Sequence, residues 1–356
     1  MNYSAFYSDL FSRIYASSDA VSSSAADRVR DLLPAHPFTV LGEGEEIPSE
    51  YRTGKTLFLT TSRGNTVTRC PGSKGHVCCN YCTADLYLGC TLGCSYCIMR
   101  GYLNFEPLTV YVDSEKSITR IREIARENPN RTIRVGTGEV GDSLLLDPLC
   151  GLSESFITGL SGLSNVFFEL KTKTHFVDHL LSIKEKGNTV FGFSLNPQEI
   201  INQEEGSASS LDERLNAADK AVKNGYLISF HFDPIILSDG WQEGYFPLID
   251  MLRAFPQDRI AWISLGTFRY PKILKEVMDF RPYLREEFVV CADGKYRYLQ
   301  RVRVPVYKEF LRRLREFSSA PVYMCMESRA VWEKVFGALP GRIEGLRPIF
   351  HRPKGC

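Results

Sequence analysis

Three cysteines, Cys90, Cys94 and Cys97, stand in a C-x3-C-x2-C run, and their spacing restricts the chain more than any other feature. Thiols this close in sequence share one loop and can converge on one metal centre. A structural zinc site or a closed iron–sulfur cluster takes four protein ligands. Three leave a coordination position open, and open positions are where chemistry occurs. Two plainer readings stand beside this one: a zinc loop that draws its fourth ligand from elsewhere, and reduced cysteines packed as small hydrophobes.

With 356 residues, 44% of them hydrophobic, the chain can form one large α/β barrel with additions or two to three smaller domains. A formal charge of +1 gives no global pull toward nucleic acid. DNA binding would need a local patch such as Arg301, Arg303, Lys308, Arg312, Arg313 and Arg315, which reads equally well as a solvated face. Residues 1–24 are polar and serine-rich without a long apolar run, so neither a signal peptide nor a membrane span is expected, and a cytoplasmic location is. In that compartment clustered cysteines bind metal or act catalytically. A second group, Cys70, Cys78, Cys79 and Cys82, lies in a turn-rich stretch. Adjacent Cys78 and Cys79 are awkward as two ligands of one ion, so the group reads as a second metal site or as reduced thiols packed near the first.

Apolar spacing over residues 3–34 predicts two helices, and Pro37–Val40 and Thr56–Thr60 predict short extended pieces. From Ala84 onward, strand-like runs appear at Asp85–Leu88, Thr132–Gly136, Asn165–Lys171, Thr189–Leu195, Tyr226–Phe232 and Arg259–Leu265. Helical segments such as Ser117–Glu127, Phe176–Lys186, Leu211–Asn224 and Phe246–Phe255 lie between them. Six strand–helix units predict a parallel α/β barrel. Its functional residues belong at the C-terminal strand ends, here Gly136–Ser143, Lys171–His175, Phe193–Pro197 and His231–Ile235. His179, beyond the third end, reads as a capping or packing histidine. The expected division is an N-terminal helical extension with the cysteine-rich loop (1–82), the barrel (83–275), and a C-terminal α+β cap that could bind substrate (276–356).

The cysteine loop, with Tyr96 directly before Cys97, resembles that of the radical S-adenosylmethionine (SAM) enzymes. In them three cysteines hold a [4Fe–4S] cluster whose fourth iron binds SAM. That resemblance implies a partial (β/α)6 TIM-type barrel, Tyr96 beside the adenine, and Glu139 in the Gly-Gly-Glu-like element Gly136-Thr137-Gly138-Glu139 that holds the SAM amino group. From Cys90 to about Tyr245 the chain is similar to the spore photoproduct lyases, which split a methylene-bridged thymine dimer. The similarity rests on Thr172-Lys173 with Val177-Asp178-His179-Leu180-Leu181, Phe193-Ser194-Leu195-Asn196, Leu211–Ala218, Pro234-Ile235 and Gly240–Tyr245. It implies SAM contacts at Lys173, Ser194, Asn196 and Asp233 as well as at Tyr96 and Glu139, the last two also taking part in catalysis.

A one-electron reductant of flavodoxin or ferredoxin type is implied too, as is a DNA or nucleotide substrate gripped by Tyr296, Arg297, Tyr298, Arg301 and Arg303. Two positions depart from the family pattern. Aligning Asp142 with the lyase aspartate puts Glu139 where the lyase carries its hydrogen-donating thiol, and Ile98 stands where it has a second tyrosine. The resemblance therefore implies SAM cleavage and hydrogen abstraction, with completion of thymine repair in doubt. A non-DNA substrate and a non-catalytic metal platform are the alternatives.

Overall fold

The computed structural model describes residues 2–103, 106–278 and 281–356. Its central element is an eight-stranded sheet. From one edge to the other the strands are Val322–Met324, Ile260–Thr267, Leu227–Ile235, Asn188–Ser194, Val166–Thr172, Ile133–Gly136, Cys82–Thr83 and Thr68–Arg69. Every neighbouring pair is parallel except the last. Registers such as Glu169 opposite Gly136, and His231 opposite both Ser194 and Ser264, align the strands so that their C-terminal ends share one rim.

Side chains alternate across a strand. Phe168 and Leu170, Val190, Phe230 and Phe232, and Ile263 and Leu265 are all buried in the core. The intervening residues Glu169, Lys171, His231, Asp233 and Ser264 line the interior of the curl. Helices Ser114–Glu127, Leu152–Leu160, Leu211–Lys223 and Trp241–Met251 bury apolar faces around it. The third of these begins in a capping box: Ser210 accepts from the Glu213 amide while the Glu213 carboxylate accepts from the Ser210 amide.

A second, five-stranded sheet has the order Phe38–Leu41, Arg13–Ser17, Thr56–Thr60, Leu108–Tyr111, Tyr87–Leu88. It revises two sequence-based expectations, and the barrel revises a third. Ile14 and Tyr15 lie in a strand, because pairing with both neighbours outweighs a helical spacing that ends at Leu10. Of Asp85–Leu88 only Tyr87 and Leu88 are extended, and they join this sheet; the matching barrel strand is Cys82–Thr83. In place of a helix over Phe176–Lys186 there is one 3-10 turn, Asp178–Leu180, since His179 is drawn to Asp147 and Tyr226 takes the Leu180 carbonyl.

Both ends of the chain contribute to the barrel. The stretch 276–356 supplies an edge strand, and its last residues lie along the barrel wall, where Asn128 and Arg131 hold the backbone of Lys354 and Arg352. Cys356 is disulfide-bonded to Cys82. This corrects the expectation that Cys82 belongs to a second thiol group. Among the described residues no helix is long and apolar enough to cross a membrane.

Candidate active site

The strand ends and the cysteine loop enclose a cavity of about 740 Å³. Cys90, Cys94 and Cys97 all line it, as do Tyr96, Glu139, Asp142, Lys173, Ser194 and Asp233. The loop is set by its contacts to the turn after the Gln198–Glu204 helix. The Ser95 amide donates to the Glu204 carbonyl (2.8 Å), the Ser207 amide donates to the Leu92 carbonyl (2.8 Å), and the Ser95 hydroxyl bonds the Glu204 carboxylate. Gly206, at φ +51°, passes so close to the Leu92 carbonyl that no side chain fits.

Beneath the loop, the Tyr96 hydroxyl donates to Glu205, a carboxylate with a fully buried side chain that is ion-paired with Arg214 at 2.5 Å. Arg214 also donates to the carbonyls of Ser194 and Ser209. Burial would raise the Glu205 carboxyl, but Lys173 and Arg214 outweigh it and hold the group below its ordinary range. One buried ion pair thus fastens the thiol loop to a strand end.

Asn196 belongs to this fastening. Its amide donates to Glu205 (2.8 Å) and its carbonyl accepts from Tyr245, and it is not among the residues lining the cavity. Asp142, 7% exposed, plays a parallel part at the second strand end. It accepts from the amides of Leu144, Leu145 and Lys173 and from the Thr172 hydroxyl. The Lys173 ammonium, directed by that backbone bond, lies 5.7 Å from the Tyr96 ring centroid. Glu139 reaches the cavity with its carboxylate 3.7 Å from the Cys70 sulfur.

The floor of the cavity is more polar than any sequence pattern indicated. Glu169 accepts from Tyr81, Ser229, Trp262 and His231 at 2.9, 2.5, 2.8 and 2.8 Å. Burial would raise this carboxyl, yet His231 and Arg134 outweigh it and keep it ionised. Burial lowers the His231 imidazole from its ordinary range, and the Glu169 carboxylate, 2.8 Å from its Nε2, pulls the other way. Arg134 lies over Trp262 (4.0 Å), Tyr323 (4.9 Å) and Tyr81 (5.3 Å). Above this layer Asp233 pairs with Arg269 at 3.0 Å; burial would raise its carboxyl, but Arg269 and Lys171 hold it low. Arg269 was missed by sequence reasoning, and Lys171 entered it only as the first residue of a strand end, without a role. Lys171 was legible in principle, because it lies two residues before Lys173 and must share its face.

Burial pushes the Cys94 thiol up to about 12. A thiol held that high stays protonated without a cation, and a metal ion supplies the charge that makes Cys94 a ligand. Among the described residues no three of His, Cys, Asp and Glu are grouped closely enough to hold a single ion. Three thiols on one loop facing open space fit a larger core with one iron left unligated by protein.

The proposed substrate grip does not hold as an exposed set. Tyr298 and Arg303 are buried at 0% and 2%, Arg303 paired with Glu327, and Arg297 is buried against Asp293. Arg301 pairs with Glu287, and Arg312 and Arg313 pair with Glu309. Arg297 and Arg303 thus face carboxylates inside the fold, while Arg301, Lys308, Arg312 and Arg315 stay exposed on the surface. His175 bonds Ser209, and His179 bonds Asp147 at 2.7 Å away from the cavity lining, as a packing residue.

A curled parallel sheet with a three-thiol loop at its strand ends is the fold of the radical SAM enzymes. A sequence model described as spore photoproduct lyase matches residues 44–289, and the chain belongs to the spore photoproduct lyase family. It is 34% identical over 197 residues to the spore photoproduct lyase of Bacillus subtilis (strain 168), covering 54% of this chain and 57% of that protein. With the enzyme of Geobacillus sp. (strain Y412MC61) identity is 33% over 168 residues, covering 47% and 49%. The chain thus spans about half the length of the curated relatives it matches. Among solved structures, spore photoproduct lyase complexed with dinucleoside spore photoproduct superposes with a TM-score of 0.74 at 21% identity, covering 88% of this chain and 98% of that one. A variant of that lyase with bound AdoMet and dinucleoside spore photoproduct gives 0.74 at 22% identity over the same shares.

Proposed function

We propose that this chain is a SAM-cleaving enzyme that holds a [4Fe–4S] cluster on Cys90, Cys94 and Cys97 and acts on a substrate seated in the cavity beside it. The cluster, when bound and reduced, supplies the electron that cleaves SAM. The observation that carries the reading is the shared lining: three thiols from one loop and the ends of four strands open onto one cavity.

The chain's own groups divide the work. Lys173 is a donor suited to the SAM carboxylate, Glu139 an acceptor suited to its ammonium group, and the Tyr96 ring forms a wall for the adenine. The Ser194 hydroxyl, at the same rim, suits a ribose hydroxyl. The Asp233–Arg269 pair and Lys171 face the substrate side, where they exclude bulk water and offer both acceptor and donor atoms.

The proposed substrate is a pyrimidine lesion of the spore-photoproduct type, the ligand named for the related solved lyases. Glu139 carries no S–H bond, and an O–H bond is too strong to give hydrogen to a stabilised carbon radical. The proposal therefore ends at hydrogen abstraction and assigns no thymine-releasing step to Glu139. A one-electron donor of flavodoxin or ferredoxin type completes the partner set.

Anaerobic reconstitution followed by dithionite and SAM should yield 5′-deoxyadenosine, and Cys94→Ala should abolish it. Retained cleavage in Cys94→Ala would overturn the cluster assignment. Dinucleoside spore photoproduct should bind to the SAM-loaded protein, and failure to bind with SAM cleavage intact would point to a different substrate.

A further inference from the structure

The barrel strand Val166–Thr172 runs on into Lys173, and its two-residue alternation puts Glu169, Lys171 and Lys173 on one face. All three line the cavity. The Lys171 backbone is fixed on both sides: its amide donates to the Ser143 hydroxyl (3.0 Å) and its carbonyl accepts from the Ser143 amide (3.1 Å). Gly138 presses against it so closely that a side chain there would meet the Lys171 carbonyl at 3.0 Å and its Cβ at 3.1 Å.

The charged groups of the cavity differ in what they have left to offer. Glu169 is engaged by Tyr81, Ser229, Trp262 and His231. Asp233 takes both terminal nitrogens of Arg269, at 3.0 and 3.3 Å. Asp142 is taken up by backbone amides and the Thr172 hydroxyl. The Lys171 ammonium, by contrast, has neither an ion pair nor a hydrogen bond among the described residues. It is the donor that an occupant of the cavity meets.

Two features narrow that occupant. Lys173 stands over the Tyr96 ring, whereas Lys171 lies about 7 Å further down the strand, away from the thiol loop. Its partner is therefore the substrate and not SAM. Asp233, Glu169 and Glu139 line the same space. Burial would lower the Lys171 ammonium, but these carboxylates, with Cys325, outweigh it. An anion brought among them meets their repulsion at close quarters, while a carbonyl oxygen takes the hydrogen bond without adding charge. Phe268, stacked on Tyr270 at 5.3 Å, adds a flat apolar wall to the cavity.

We propose, on the reading of this cavity as the substrate site, that Lys171 selects the substrate by donating a hydrogen bond to a carbonyl oxygen of a neutral planar ring, such as a pyrimidine imide. It takes no part in holding SAM or a phosphate.

Calorimetry on the anaerobically reconstituted, SAM-loaded full chain, without reductant, tests this with two ligands: dinucleoside spore photoproduct, which is uncharged, and the same compound with its phosphodiester link. Lys171→Met should bind SAM as wild type does and bind both ligands about 10- to 100-fold more weakly, the loss of one hydrogen bond from a charged donor. Lys173→Met should instead lose affinity for SAM. Where Lys171→Met does not fold, by circular dichroism, Lys171→Gln carries the same comparison. Unchanged affinity for the dinucleoside overturns the proposal, and so does weakened SAM binding by a folded variant or a loss confined to the phosphodiester-linked ligand. Wild-type protein that cleaves SAM but binds neither ligand overturns the substrate reading, and this assignment with it, a result distinct from a variant that binds both ligands as wild type does.

Discussion

The buried pair under the thiol loop offers the sharpest test of how this site is built. Glu205 accepts from Tyr96, Asn196 and Arg214, and both ion-pair side chains are 0% exposed. Breaking a buried pair by removing one partner costs about 3–5 kcal/mol, because the survivor stays charged in a dry site. Glu205→Gln leaves the Arg214 guanidinium its two carbonyl acceptors at Ser194 and Ser209, so about 3 kcal/mol is expected. Arg214→Met also strips those carbonyls of a donor, and about 4 kcal/mol is expected. Independent effects would sum to about 7 kcal/mol in the double variant. With no charge left unpaired it should lose only about 4 kcal/mol, a coupling of about 3 kcal/mol.

Urea unfolding of the four proteins at pH 7.5 measures the cycle, and iron uptake by the Cys90 loop should fall in step with each loss. The Glu205 carboxyl is held below its ordinary range. Its contribution is therefore present above that range and lost as pH falls through it, so wild type and Glu205→Gln should converge on acidification. Additive losses in the double variant, or a gap that widens in acid, would refute the reasoning.

Asp85 behaves in the opposite sense. Burial and then Glu139 raise its carboxyl to about 6, and its Oδ1 is buried without a partner. The fold therefore binds a proton that the unfolded chain has released, and ionising Asp85 above pH 6 destabilises the fold by about 1–3 kcal/mol. Asp85→Asn should stabilise the protein by that amount at pH 8 and hardly at all at pH 4, as read from denaturant midpoints. Gly206→Ala should cost about 2 kcal/mol and loosen the thiol loop, because its backbone is left-handed and the new methyl meets the Leu92 carbonyl; hydrogen exchange at Leu92–Cys97 checks this. Cys82→Ser should free the chain end at Cys356 and speed proteolysis after Arg352, with the barrel intact.

The sequence by itself determined which of these residues meet at the cavity rim. Cys90, Cys94 and Cys97 sit within eight residues and must share a loop whatever the rest of the chain does. Strand ends at Glu139, Lys173, Ser194 and Asp233 follow from a two-residue alternation and the rule that parallel barrels open at their C-terminal ends. These are local properties, legible in local spacing.

What only the tertiary structure decided depends on residues far apart in sequence. Asn196 carries the right chemistry for a ligand but is consumed by Glu205, Tyr96 and Tyr245. Arg297 and Arg303 look like a nucleic-acid patch until Asp293 and Glu327 are found beside them in the core. Cys82 leaves its neighbours for Cys356, and Cys325 reaches the cavity that Cys70 and Cys79 also line from the opposite edge of the sheet. Charge and thiol chemistry take their meaning from the partner within a few ångströms, and sequence distance does not encode that partner once a sheet has curled its two edges together.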